Sequence, residues 1–278
     1  MEADYPLSVL CATFAVSRSS YYAWQKRPPS ARAQKDQALL GCIDQIHQQS
    51  RATYGSPRIH AALRARGERL SRKRVARLMR QRQLSGRPPR RFVPATTDSR
   101  HADPIAPNRL TGTAPCLAPD QVWVSDITYV DTGEGWLYVA GVLDRYSRRL
   151  VGWAFADHLQ TSLPLRALQM ALTQRRPPAQ LIHSSDRGSQ YASAPYRAAL
   201  QAAQALPSMS RAGCCYDNAF MESFWSTLKL ELVYRTTFAT RAQACAALFE
   251  WFEVFYNRSR RHSALGYKSP VDFETQLN

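Results

Sequence analysis

The sequence predicts an α/β fold: a mixed sheet with flanking helices, preceded by an all-α N-terminal region with two helix-turn-helix units. Three observations predict it. Residues 1–84 carry helical periodicity broken only by turn signals, residues 85–120 are rich in Pro, Ala, Thr and Gly with little periodicity, and from residue 121 onward β-branched and aromatic runs alternate with helical ones. The predicted division is a helix-turn-helix region (1–84), a Pro-rich basic linker (85–120) kept semi-extended by its prolines, and a sheet domain with a C-terminal helix (121–278).

Residues 7–24, "LSVLCATFAVSRSSYYAW", read as a helix, a tight turn at Ala15 and Val16, and a second helix opened by Ser17 as N-cap. An amphipathic helix over 32–49 sets Leu39, Leu40, Ile43 and Ile46 on one face. Residues 54–84 repeat the pattern: Ser56 caps a helix with Pro57 at its first position, Gly67 ends it, and Ser71 caps the next. In the sheet domain, 121–130 ("QVWVSDITYV"), 136–144 and 148–155 read as a three-strand meander. A helix over 162–174 follows, then the strand "QLIHSS" (180–185), a helix opened near Ser193 with Pro195 in its first turn, the short strand "ALPSMS" (205–210), and a helix from Asp217. "TRAQ" at Thr240 is a capping box for a further helix to Asn257. Ligands of a sheet built this way sit at the carboxyl ends of its strands.

Lys and Arg number 37 against 21 acidic residues, a net charge of +16, and between Arg69 and Arg91 ten of 23 residues are basic and none is acidic. Such a concentration points to phosphate backbones, and the two tandem units ahead of it point to double-stranded DNA. Ser17, Arg18, Arg72, Lys73, Arg74 and Arg77 are the candidate contacts. A small helical bundle with a solvated basic face is the alternative. No apolar run reaches about 18 residues and the N-terminus lacks a signal-peptide pattern, so a cytoplasmic location without membrane association is expected. Cys11, Cys42, Cys116, Cys214, Cys215 and Cys245 form no C-x-x-C pair and have no histidine at finger spacing, and are read as reduced thiols.

Three acids stand out. Asp126 sits in mid-strand, where a carboxylate is disfavoured unless paired or metal-bound. Asp186 ends the fourth strand, and Glu222 lies in the first turns of a helix whose apolar face is read as Phe220, Phe224 and Leu228. If the first and fourth strands are neighbours, Asp126 and Asp186 lie side by side, and like charges so close require a cation. Oxygen ligands without histidine or cysteine suit Mg²⁺ or Mn²⁺. Each acid also has a structural reading: Asp126 as a salt-bridge partner, Asp186 as a cap, Glu222 as compensation of a helix dipole.

Asp126 in "VWVSDITYV", Asp186 in "IHSSDRGSQYAS" and Glu222 in "SMSRAGCCYDNAFMESFWSTLK" together resemble the acidic triad of the DDE transposases and retroviral-type integrases. Lys229, seven residues after Glu222, matches the basic position that accompanies that triad, and "YNRSRRHSALGYKSPVDF" resembles the group's closing motif. The match is closest to the second reading frame of the "IS three" insertion-sequence family and covers nearly the whole chain. The resemblance implies a ribonuclease H-like catalytic domain, a pair of divalent metal ions held by the three acids, and an enzyme that cuts and joins DNA at the terminal inverted repeats of a mobile element and at its target. It further implies a homo-oligomer on DNA, fusion to the product of an upstream reading frame, and a DNA-contacting role for Lys229. Cys214 departs from the polar residue the family pattern places there. Two other readings stand beside this one: a ribonuclease H-like nuclease without strand transfer, and a non-catalytic DNA-binding protein derived from a transposase.

Overall fold

A computed structural model of the chain describes residues 5–87, 104–110, 115–210 and 218–276. Arg90, Arg91, Cys214, Cys215 and much of the 85–120 stretch lie outside the described residues.

The N-terminal region is helical. Helices α1 (Leu7–Thr13) and α2 (Arg18–Gln25) are joined through Ala15 at φ 51, and Ser17 caps α2 by accepting the Ser20 N–H. Helix α3 (Ala31–Gln49), capped by Ser30, packs with α4 (Ser56–Ala65) and α5 (Arg72–Gln81) around Leu39, Leu40, Ile43, Ile59, Leu63 and Leu78. The apolar stripe read on α3 is therefore the face that builds this core. Gly67, at φ 88, turns the chain after α4, a conformation that costs an L-residue its Cβ clearance. Ser56 does not cap α4. Gly55 takes the N-cap position in extended conformation with no side-chain hydrogen bond, and Ser56 is the first helical residue.

The sheet comprises β1 (Val122–Val130), β2 (Leu137–Asp144), β3 (Leu150–Ala156), β4 (Ile182–Ser185) and β5 (Leu206–Met209) in the order β3-β2-β1-β4-β5. The first three form an antiparallel meander, while β4 and β5 run parallel to β1, so the sheet is mixed. Helices α6 (Ser162–Arg175), α7 (Ser189–Ala192) and α8 (Ala194–Ala202) belong to one face, where Trp123, Val142, Leu163, Leu168 and Leu200 form a core. On the other face α9 (Ala219–Glu231) and α10 (Arg241–Glu250) pack Met221, Phe224 and Leu248 onto Val124, Val139 and Leu143. Helix α10 is capped by Thr240 and continues as a π-helical stretch, Trp251–Tyr256, before α11 (Pro270–Thr275). A Cβ on Gly152 of β3 would lie 2.2 Å from the Ala167 carbonyl oxygen of α6, so glycine is what lets that helix lie directly on the sheet.

One strand boundary differs from the sequence reading. Strand β3 starts at Leu150 rather than 148, because Arg148 turns at φ 61. The helix expected to open near Ser193 with Pro195 in its first turn is α8; the short α7 before it was not expected, and the Ser193 hydroxyl makes no cap hydrogen bond to α8 but donates to the Gln190 carbonyl.

The turn between α3 and α4 docks on the sheet domain. The Tyr54 hydroxyl accepts the Arg261 N–H at 2.7 Å, Arg51 pairs with Glu250 and stacks its guanidinium 4.8 Å from the Phe255 ring, and Arg235 donates to the Arg51 carbonyl.

Candidate active site

Strands β1 and β4 pair in parallel through Val122↔Ile182, Trp123↔His183 and Val124↔Ser184. Continuing that register by two residues puts Asp126 beside Asp186 at the carboxyl ends of the two strands. Asp186 is held by its own loop: its Oδ1 accepts the Gly188 N–H at 2.9 Å. The Asp126 carboxyl is pushed up to about 7, first by burial and then by the Asp186 charge, with Glu222 adding a smaller push in the same direction. The Trp225 indole lowers it, although no hydrogen bond of ordinary geometry closes at that buried nitrogen.

The third element arrives through a glycine. Gly141 of β2 faces Asp126 across the ladder, and a Cβ there would meet the Trp225 ring at 3.0 Å and the Met221 methyl at 3.2 Å. Its missing side chain lets α9 lie over the strand that carries Asp126. Glu222, in the first turn of α9, is exposed at its surface with its pKa raised by partial burial. It is near enough to act on Asp126 electrostatically, but among the described residues no three acids, histidines or cysteines close into one metal-binding group. Asp126 and Asp186 fit a hard divalent cation: their donors are carboxylate oxygens, and their mutual repulsion is what a cation relieves.

The buried stripe of α9 is Met221, Phe224, Trp225 and Leu228. Phe220, expected on that face, is partly buried against the same core and also meets the guanidinium groups of Arg148 and Arg145, at 3.8 and 5.1 Å. Lys229 turns toward the acids: its ammonium is 5.1 Å from the Tyr129 ring, burial lowers its pKa, and the Asp126 charge opposes that shift. A cleft of roughly 510 Å³ opens here, lined by Asp126, Asp186, Gly188, Gln190, Tyr129 and Trp136 among others. Beneath the acid pair, His183 is fully enclosed. Its Nε2 is 2.9 Å from the Ser125 hydroxyl and 3.1 Å from that of Tyr196, and burial pushes its pKa down to about 4.

Of the seven residues read as DNA contacts, all but Lys229 lie apart from this cleft, in the N-terminal helical region. Ser17 is occupied as the cap of α2, and Arg18 opens that helix. Arg72 and Lys73 are exposed in the first turn of α5, whereas Arg74 and Arg77 of the same helix hold Asp36 at 2.7 and 2.5 Å. Gly188, which with Arg187 begins the loop expected to serve binding, does so by donating its N–H to Asp186, whereas Gly141 and Trp225 were not singled out from sequence. A glycine in the middle of an apolar strand was the available signal for Gly141.

Family models match three stretches: an HTH-like domain over residues 34–92, and an integrase core domain over 117–215 and again over 204–270. The chain is 47% identical over 97% of its length to an insertion element IS600 uncharacterized 31 kDa protein of Shigella sonnei, covering 98% of it. It is 38% identical over 99% of its length to the transposase InsF for insertion sequence IS3A of Escherichia coli (strain K12), covering 96% of it. A simian T-cell lymphotropic virus intasome chain, solved in complex with a PP2A regulatory subunit, aligns over 84% of this chain and 74% of its own length, with 16% identity and a TM-score of 0.49. With a paired-acid cleft on an integrase core, an HTH-like domain ahead of it, and end-to-end similarity to an IS3 transposase, the chain belongs to the IS3 family of insertion-sequence transposases.

Proposed function

We propose that this chain cuts and joins DNA at the ends of an insertion sequence by metal-dependent phosphodiester transfer, with Asp126, Asp186 and Glu222 as its catalytic acids. The observation that supports the reading most is the β1–β4 register, which when continued by two residues sets Asp126 beside Asp186 at the ends of neighbouring parallel strands, where the Asp186 charge raises the Asp126 pKa and a divalent cation would relieve the repulsion. Asp126 and Asp186 would hold Mg²⁺ or Mn²⁺ between them, and Glu222 would supply a further oxygen from α9. Such ions activate an attacking water or 3′-hydroxyl and stabilise the departing oxygen. The chain's own groups would do the rest: the Gly188 N–H fixes one Asp186 oxygen, α9 packs through Trp225 on Gly141 beside Asp126, and Lys229 would offer a positive charge to the strand beside the scissile phosphate. Residues 1–84 would grip the terminal repeats by their phosphates, residues 85–120 would link them, and residues 121–278 would do the chemistry.

The test is a set of three variants assayed on the element's own ends. Asp126→Asn, Asp186→Asn and Glu222→Gln should each abolish cutting and joining while leaving end binding close to wild type. Mg²⁺ and Mn²⁺ should support the reaction and Zn²⁺ should not replace them. Retention of more than a few per cent of activity by any one variant would remove that residue from the site. Cutting without joining by the wild type would favour the nuclease reading.

A further inference from the structure

The cleft that holds the acid pair has a second wall, and it is aromatic. Tyr129 on β1 and Trp136 just before β2 are 49% and 48% exposed, and their rings meet edge to face at 4.8 Å. Tyr138 stands opposite Tyr129 in the β1–β2 ladder and two residues after Trp136, so all three rings share one face of the hairpin, and all three line the cleft. Large rings left half in water forgo much of the stabilisation that burial of their apolar surface would supply. Other exposed aromatic residues are scattered over the helices; these are the ones that share a cleft with Asp126 and Asp186.

Their access to that cleft follows from the sheet. Strand β4 ends at Ser185, while β1 runs on to Val130. Past the end of β4 the edge of β1 carries no parallel partner from that strand, so residues from both faces, Asp126 from one and Tyr129 from the other, border the same opening. The ammonium of Lys229 lies 5.1 Å from the Tyr129 ring, setting a cation beside the aromatic wall.

We infer that Tyr129 and Trp136 form a stacking platform for an unpaired nucleobase of the DNA strand whose phosphate lies at Asp126 and Asp186. The inference rests on the reading of the acids as a phosphodiester-transfer site. Every base presents a π-face, so a ring wall accepts a nucleotide of any sequence, and an adjacent lysine meets its phosphate. A duplex cannot use the rings while its bases remain stacked, so the platform selects a frayed or splayed end, where the backbone is free to bend toward the acids. A protein segment seated on the same rings would seal the cleft that the acids need open.

The experiment uses the full chain and a short oligodeoxythymidylate carrying one 2-aminopurine, single-stranded and as a blunt duplex. Wild type should quench the fluorophore in the single strand. Trp136→Ala and Tyr129→Ala should remove the quench and weaken single-strand binding by about 10-fold. Tyr129→Phe and Trp136→Phe keep a ring and should restore both, and duplex affinity should be unchanged in all four. Alanine variants that quench and bind like wild type overturn the platform. So does a change in oligomeric state on gel filtration with the quench intact, which would assign the rings to a protein interface. Metal-dependent cutting by wild type, measured in parallel, reports separately on the acids: a ring-dependent quench without cutting refutes the transfer reading and leaves the base site, and cutting with a ring-independent quench does the reverse.

Discussion

His183 shows how a single residue can be spent on shape rather than chemistry. It lies three positions before Asp186, close enough along the chain for a place beside the acid pair. Its ring instead sits under the sheet between Ser125 and Tyr196, whose hydroxyls converge on Nε2. Burial holds its pKa at about 4 against an ordinary 6.5, so it folds neutral. The sign follows from linkage: below pH 6.5 the unfolded chain takes up a proton that the folded chain refuses until about pH 4, so stability falls as the pH is lowered through that window. The full difference corresponds to about 3 kcal/mol. His183→Gln should therefore flatten the acid limb of a stability-against-pH curve from urea titrations between pH 6.5 and 4, whatever it does to stability at neutral pH. An acid limb as steep as that of the wild type would mean that His183 already protonates in the folded state. Asp126 and Asp186 were legible as candidates because carboxylates at such positions are costly, and their register partners could be guessed from the alternation of strands and helices. Gly141 and Trp225 were not legible, because their fit joins a strand and a helix about eighty residues apart in the chain, and nothing local to either records it.

Helix α9 lies over the strand that carries Asp126, and its far end is anchored by a pair that sequence reading passed over. Arg260 makes two 2.8 Å hydrogen bonds to the Glu231 carboxylate, with both side chains about 95% buried, and Arg58 from α4 stands 4.0 Å from the same acid. The closing motif thus holds the C-terminal end of the helix whose first turn carries Glu222. A buried pair of this kind contributes little relative to apolar residues of the same volume, but removing one partner strands a charge, which typically costs about 3–5 kcal/mol. Glu231→Ala and Arg260→Ala should each destabilise by that order in chemical denaturation, and the double variant should cost clearly less than their sum. Simple additivity would show that the two charges are independently solvated. Helices with capping signals, such as those opened by Ser17, Ser71 and Thr240, were legible because a hydroxyl before an apolar periodic run satisfies backbone donors locally. The π-helical stretch after α10 was not, since it is set by the packing of Trp251, Phe252 and Tyr256 around Phe224.

Across the whole molecule, the docking of Tyr54 and Arg51 on the sheet domain fixes where the basic helix α5 stands relative to the acid cleft. The charge that looked like one cluster in the sequence divides into two populations once folded. Arg74 and Arg77 both bind Asp36 and hold its carboxyl below its usual range, and Arg82 lies 3.5 Å from Asp44. Arg72 and Lys73, in the first turn of α5, have no ion-pair partner among the described residues. Composition cannot make this distinction, because Asp36 is 38 and 41 residues away from the arginines that use it. Each phosphate contact contributes roughly −0.9 to the slope of log K against log salt on duplex DNA. Replacing Arg72 and Lys73 with Gln should therefore flatten that slope by about 1.8 with little effect on stability, if both reach phosphates. Replacing Arg74 and Arg77 should change the slope less and lower the thermal stability of the helical region, because Asp36 loses its partners and α5 its tie to α3. Fluorescence-anisotropy titrations of a labelled duplex over a range of salt concentrations, paired with melting curves, separate the two cases. Equal slope changes for the two pairs would mean that DNA pulls Arg74 and Arg77 away from Asp36, and Asp36→Asn would then strengthen binding.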